Sequence, residues 1–330
     1  MRARGSRSSV IGLVMLTVFC FAIAGWCEFP ERTITILVGN EAGGTADIIT
    51  RALAIGAEKY LGKPLLVEDR GGGGGAVALG AIMTAKADGY TLAAVPNDTL
   101  VNTALMQKVP FKPLKDFAPI IGHSSSENTA LLVKNDAQWK TFAEFIEYAK
   151  KNPGKIKYST AGIGTGMHTS MAYIAQQDNI KWVHVPYKGT APARTALLGG
   201  HVDACASGVD WVPFVQSGQL RVLVTHGRTR MAAFPNVPTL KDAGYDFVSE
   251  TIHSIVGPAG IPPDVVKKLE TAFLKGTETQ EFKTTQEKLS LTPVMYMSKE
   301  YERHLKEHWV KMEKIFKDAG IIKEAATQPY

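Results

Sequence analysis

Two glycine-rich turns carry hydroxyl and titratable side chains at spacings suited to holding an anion. The first, Gly39-Asn40-Glu41-Ala42-Gly43-Gly44-Thr45-Ala46-Asp47, follows the strand-like stretch Thr33–Val38. The second, Thr160-Ala161-Gly162-Ile163-Gly164-Thr165-Gly166-Met167-His168, follows Lys157-Tyr158-Ser159. Glycine lets a backbone turn sharply and pass close to a ligand. A helix that begins after such a turn presents unpaired N–H groups and the positive end of its dipole. Either turn alone is satisfied as a tight strand-to-helix connection. Two of them in a chain without a catalytic signature point to a cleft that grips an anion from both sides.

Other chemistry is weaker. The run Gly71–Gly75 followed by Ala76 fits a dinucleotide-binding pattern, but five consecutive glycines match it by chance, and in the second turn Met167 stands where a small residue belongs. A nucleophilic serine on a glycine-flanked elbow does not occur. His168 has the position of a general base, and equally that of a helix residue bonding nearby backbone or stacking between lobes. His184, His201, His226 and His253 are too scattered for a metal site. Cys205 lies in the apolar strand Val202–Ala206, the setting of a small buried side chain. Asp210 and Trp211 offer either a polar contact and an aromatic shelf for a ligand, or a helix cap and a packed indole. The reading is a binding protein without cofactor or metal.

These residues need a scaffold. Arg2, Arg4 and Arg7 precede an apolar run from Val10 to Ala24, which reads as a secretory signal peptide over residues 1–27, cleaved after Ala24 or Cys27. The run is shorter than the ~20 residues that span a bilayer. Its removal would lower the formal charge from +6 to about +3, which gives no reason to invoke nucleic acid. The remaining length exceeds one comfortable core, so two lobes are expected. Strands alternate with helices: Thr33–Val38, a helix near Ala46–Tyr60, Leu65–Glu68, a helix near Ala76–Ala87, then Tyr90–Val95 with Pro96–Thr99 as its loop. A second unit runs from Ala130–Val133 to Leu220–Thr225, with Thr141 capping a helix that ends at Lys151. The last stretch, from Pro262, reads as purely helical, ending in an amphipathic helix near Lys299–Asp318 whose Leu305, Trp309, Met312 and Phe316 serve core packing in the first lobe. The fold class is α/β, two mostly parallel lobes joined by hinge strands. The expected division is residues 28–125 and 251–330 in one lobe and 126–250 in the other. In such sheets ligands sit beyond the carboxyl ends of the strands. Both glycine turns lie there, with Pro96–Thr99, Pro186–Thr190 and Ser207–Asp210, and closure would be a hinge motion.

Several stretches together resemble a known family. Val183-His184-Val185-Pro186-Tyr187-Lys188-Gly189-Thr190-Ala191-Pro192-Ala193, with Leu197–Asp203, looks like the signature of tripartite tricarboxylate transporter receptors, the Bug-type periplasmic solute-binding proteins. Gly43–Asp47, Val67–Gly72, Ala87–Leu92, Asn152–Lys155, Thr160–His168 and Phe234–Gly244 agree in order along the chain. The resemblance implies a type II periplasmic-binding-protein fold that delivers small organic acids to a two-component membrane permease, as a monomer. It also implies that the two glycine turns clamp a ligand carboxylate, partly through ordered water. Carried onto this chain, the clamp residues are Gly43, Gly44, Thr45 and Asp47, then Thr160, Gly162, Gly164, Thr165 and His168. The far end of the ligand would lie near Asn97, Thr99, Lys188 and Asp210. Relatives carry proline and an aromatic residue where this chain has Gly39 and Asn40. Glu41 adds a negative charge to a loop meant to receive an anion, so it should face away or accept a donor from the ligand. A sensor that signals to a membrane kinase, or a secreted enzyme using His168, would share the architecture.

Overall fold

The computed structural model describes residues 29–127 and 129–330 of the 330-residue chain. The signal-peptide reading lies outside those residues. The first strands and helices are β1 (Ile34–Val38), α1 (Thr45–Leu61), β2 (Leu65–Asp69), α2 (Ala76–Met83), β3 (Thr91–Pro96), α3 (Asn97–Met106) and β4 (Phe117–Ser126). Next come β5 (Ala130–Lys134), α4 (Phe142–Lys151), β6 (Lys157–Thr160), α5 (Gly166–Asp178), β7 (Val183–Pro186), α6 (Thr190–Leu198), β8 (Ala204–Ser207), α7 (Val212–Gln216) and β9 (Leu220–Thr225). The chain ends with β10 (Thr251–Pro258), α8 (Pro263–Thr277), α9 (Gln280–Lys288), β11 (Thr292–Met297) and α10 (Ser298–Asp318).

The strands form two sheets, ordered β11-β4-β10-β3-β1-β2 and β7-β6-β8-β5-β9, one for each lobe. Each sheet has a parallel part, β2-β1-β3 and β7-β6-β8. The remaining pairings are antiparallel because β10 and the edge strand β11 in the first sheet, and β5 in the second, run against the other strands. The cause is the crossing between lobes. A chain that arrives from the other lobe enters at the cleft edge, where the parallel strands end, and must run back. Thus His253, near the start of β10, pairs with Pro96 at the end of β3, and Ala130 at the start of β5 pairs with Ser207 at the end of β8.

The first sheet is buried on both faces, as parallel strands with helical crossovers require. Ile34, Ile36 and Val38 of β1 pack with Ile49 and Leu53 of α1 and Phe273 of α8, while Leu37 faces Leu79 and Leu100 on the opposite side. The amphipathic α10 buries Tyr301, Leu305, Trp309, Met312 and Phe316 against β4 and α3. Thr141 begins α4 with a reciprocal capping box to Glu144.

Three elements depart from the reading of the sequence. Pro96–Thr99 is no loop, because α3 starts at Asn97 directly after β3. Asn97 makes this possible by accepting the Ile252 N–H at 2.7 Å and donating to Glu250 O at 3.4 Å, so its side chain serves β10 instead of a turn. β4 provides the crossing to the second lobe. The C-terminal stretch is not purely helical: β11 adds an edge strand beside β4, a position that tolerates its Pro293.

Candidate functional site

Four helices start at the cleft: α1 after Gly44, α3 after Pro96, α5 after Thr165 and α6 after Gly189. A short 3₁₀ turn, Val209–Trp211, follows Gly208 at the same edge. They converge on a cavity of about 30 Å³ lined by Asn40, Gly44, Thr45, Ala46, Pro96, Asp98, Thr99, Ala161, Thr165, Met167, Thr190 and Gly208. Ser126, Thr129, Thr251 and His253 from the crossing strands complete the wall. That volume is about one water's share of the liquid. The space as it stands is too small for an organic acid.

The first turn is braced from outside. The Glu41 N–H donates to Lys188 O across the cleft mouth at 2.7 Å. The Gly43 N–H donates to Asp47 Oδ2 at 2.8 Å, and Asp47 pairs with Arg51 at 2.5 Å, which reaches Asp69 at 2.9 Å. Gly44 leaves α1 without a side-chain cap, so its first amides have no acceptor within the helix. Beside them the Thr45 hydroxyl donates to Asp210 Oδ1 at 3.5 Å, and the Thr190 hydroxyl to Asp210 Oδ2 at 3.3 Å. Asp210 forms a buried ion pair with Arg194, whose guanidinium lies 4.4 Å over the Phe214 ring. Asp210 therefore orients two hydroxyls while its charge is matched.

The second turn fills its own amides. Thr160 Oγ1 accepts the Gly162 N–H at 3.1 Å, His168 Nδ1 accepts the Gly164 N–H at 3.3 Å, and Thr165 Oγ1 accepts the His168 N–H at 3.4 Å. The Gly166 N–H donates across the cleft to Asp98 Oδ2 at 2.5 Å. His168 stacks on His184 with ring centroids 4.1 Å apart, and burial pushes His168 down to about 4. Burial, then the neighbouring His168, takes His184 down to about 3. Gly164 has φ +85°, and a Cβ there would lie 2.5 Å from the Thr103 Cα of α3. The turn is thus seated on the first lobe, where the Gly71–Gly75 run also receives it: a Cβ on Gly162 would come within 2.7 Å of the Gly74 Cα.

Of the residues expected to meet ligand, Gly44, Thr45, Thr99 and Thr165 line the cavity. Asp210 stands directly behind Thr45 and Thr190. Gly43, Asp47, Thr160, Gly162, Gly164 and His168 shape the two turns from outside the cavity, and Asn97 ties α3 to β10. Lys188 is on the rim, 68% exposed, with its Nζ 4.0 Å from Glu41. Glu41 does not line the cavity either. Trp211 is buried against Phe234, with ring centroids 5.1 Å apart. Asp98, Thr190 and Gly208 belong to loops the sequence places at the cleft without singling these residues out, and the crossing-strand group Ser126, Thr129, Thr251 and His253 is missed altogether. Asp98 was detectable as an acid in the first turn of a helix at a strand's carboxyl end; the crossing-strand residues carry no local signal. Burial raises Asp98 to about 6, against the lowering effect of its bonds from Gly166, Thr251 and Thr99.

Two α/β sheets around a small cavity at converging helix N-termini have the architecture of a solute-binding protein. The family model described as tripartite tricarboxylate transporter family receptor matches residues 49–321. A Cupriavidus necator protein described as the UPF0065 protein in the gbd 5′ region is 37% identical over 298 residues, covering 90% of each chain. BugT of Bordetella pertussis is 30% identical over 264 residues, 78% of this chain and 80% of its own. Among solved structures, the periplasmic binding protein BugD superposes with TM-score 0.83 at 27% identity, covering 88% of this chain and 99% of its own. MatC from Rhodopseudomonas palustris, with bound malate, gives 0.81 at 26% identity, covering 87% and 99%. The chain belongs to the tripartite tricarboxylate transporter receptor family, a family of periplasmic solute-binding proteins.

Proposed function

We propose that this protein captures a small organic acid in the periplasm and hands it to a two-component membrane permease, without chemistry of its own. The observation that carries the reading is the uncapped N-terminus of α1 facing a small cavity between two lobes, whose polar wall groups include Thr45, Thr190 and Asp98. Such a helix end favours a carboxylate through free amides and the dipole. The malate bound to MatC supports a carboxylate ligand. In this reading residues 28–125 and 251–330 form one lobe, residues 126–250 form the other, and they part about their two crossings to admit the acid. In this reading His168 is no base: it is half-buried, stacked on His184, bonded to its own turn and outside the cavity.

Calorimetric titration with a panel of small carboxylates and their uncharged esters tests this. At least one acid should bind, with its fully esterified form bound at least about tenfold more weakly, and the acid should be recovered unchanged. Equal binding of acid and ester, or conversion of the bound acid, would contradict it.

A further inference from the structure

Asp98 enters the cavity from the first turn of α3 and is 2% exposed. Its Oδ2 accepts the Gly166 N–H at 2.5 Å and the Thr251 hydroxyl at 3.1 Å, and its Oδ1 accepts the Thr99 N–H at 2.8 Å. A carboxylate oxygen can accept two hydrogen bonds, so Oδ1 keeps capacity for a further donor. Among the described residues that line the cavity, Asp98 is the sole carboxylate, and no lysine or arginine stands with it. The histidine in the wall, His253, supplies no cation. Its Nε2 bonds Ser126 Oγ at 2.7 Å, and burial pushes it down to about 4.

A ligand carboxylate held by both glycine turns would have to share the N-terminus of α5. Asp98 is already bonded there. A second anion at that end would meet the like charge of a carboxylate that is only 2% exposed, where water screens little and repulsion is strong. At the other end the first amides of α1 are uncapped, and Asp210 is matched by Arg194. The cavity is polarised: one end receives an anion, and the other accepts a hydrogen-bond donor.

We propose that Asp98 sets the ligand class as a monocarboxylate whose far end donates a hydrogen bond, such as an amino acid or amide acid, in preference to a dicarboxylate of the same length. This rests on the carboxylate-binding reading given above. The ligand's carboxylate takes the α1 end beside Thr45 and Thr190, and its ammonium or amide N–H takes the remaining capacity of Asp98 Oδ1. Because Asp98 also holds Gly166 of the second lobe, a donor placed there favours the closed arrangement.

The test is a set of matched ligands titrated at about pH 7.5, where a carboxyl of pKa about 6 is mostly ionised. Succinate, glutarate and adipate are each compared with their own monoamide, which has the same shape and one charge fewer, and with the corresponding amino acid. In the wild type, the tightest monoamide or amino acid should bind at least about tenfold more tightly than the matched diacid. Asp98→Asn should reverse that order or bring the pair within about twofold. A wild type that binds diacids as tightly as monoamides and amino acids overturns the proposal and leaves the carboxylate reading standing. An unchanged ratio in a folded Asp98→Asn overturns it as well. If that variant does not fold, the wild-type ranking decides. Failure of every acid in all three series to bind overturns the carboxylate reading and the proposal together.

Discussion

At the β1–α1 turn the first amides of α1 have no side-chain cap, whereas at the β6–α5 turn Thr160, His168, Thr165 and Asp98 each accept an amide. The two turns share glycines, a threonine at the helix start and a position at the cleft edge. They differ in what surrounds them. The acid of the first turn, Asp47, is drawn outward by Arg51, so the helix end stays open to the cavity. The acid that reaches the second turn comes from the opposite lobe and occupies the helix end. On the proposed reading the first turn is the anion site and the second is the seat on which the lobes close. A glycine-rich turn before a helix is therefore only half of an anion site; the other half is the absence of a protein group already in place.

The largest separation between the turns should come from their glycines. Gly164→Val places a β-branched side chain at φ +85° and against the Thr103 backbone, neither of which can yield. Ligand affinity should fall more than about a hundredfold, roughly 3 kcal/mol, because closure is blocked. Gly44→Ala meets only the Thr190 hydroxyl, 2.7 Å from the added carbon, at an ordinary backbone φ of −90°. The threonine can rotate, and about tenfold is expected. Equal losses in calorimetry would remove the distinction between seat and site.

Acid should act on the seat before the site. His168 and His184 brace the second turn, and His123, His226, His253 and His308 are buried elsewhere, all held at about 3 to 4 by burial first. Each is neutral in the folded protein and protonates at its ordinary value of 6.5 when unfolded, so its stabilisation is complete above pH 6.5 and lost as pH falls towards about 4. Asp98 runs the other way, losing stability as pH rises from 3.8 to about 6. Six groups outweigh one, and the melting temperature should drop between about pH 7 and pH 5. A melting temperature that is flat or rising over that interval would contradict the histidine assignment.

The two threonines sharpen the contrast on a smaller scale. Thr45→Val removes a cavity hydroxyl whose long bond to Asp210, 3.5 Å, can be exchanged for one to the ligand carboxylate; it should weaken ligand about tenfold with little change in melting temperature. Thr165→Val removes the cap of α5, which costs about 1 kcal/mol of stability. It should lower the melting temperature by about 2–4 °C with a smaller loss of affinity. The smallest effect belongs to the rim. Glu41→Gln breaks an exposed pair at 4.0 Å, and a change in affinity beyond about twofold would show that the rim takes part in binding.

Much of this organisation was legible in the chain. Apolar runs flanked by glycine turns marked β1 and β6, Thr141 marked the start of α4, and the spacing Leu305, Trp309, Met312, Phe316 marked the buried face of α10. What escaped was burial without apolar residues. The end of β4, His123-Ser124-Ser125-Ser126, is buried yet polar because side-chain bonds such as Ser126 Oγ to His253 and Gln286 to Ser124 Oγ replace water. Asn97, Asp98 and Thr99 have the composition of a turn and form helix because the polar atoms of Asn97 and Asp98 are used by residues far along the chain. Asn97 and Thr99 were singled out while Asp98 between them was not, because its partners Gly166 and Thr251 lie far along the chain. Gly43 and Lys188 sit in loops that the glycine pattern and the strand ends place at the cleft, and their positions outside the cavity depend on how the turns are braced.

The crystal structure of the protein soaked with the tightest-binding acid tests the central claim most directly. The account predicts a ligand carboxylate oxygen within about 3 Å of the Gly44–Ala46 amides, with Asp98 still bonded to the Gly166 N–H. A carboxylate seated on the Gly166 N–H, with Asp98 displaced from it, would contradict the account.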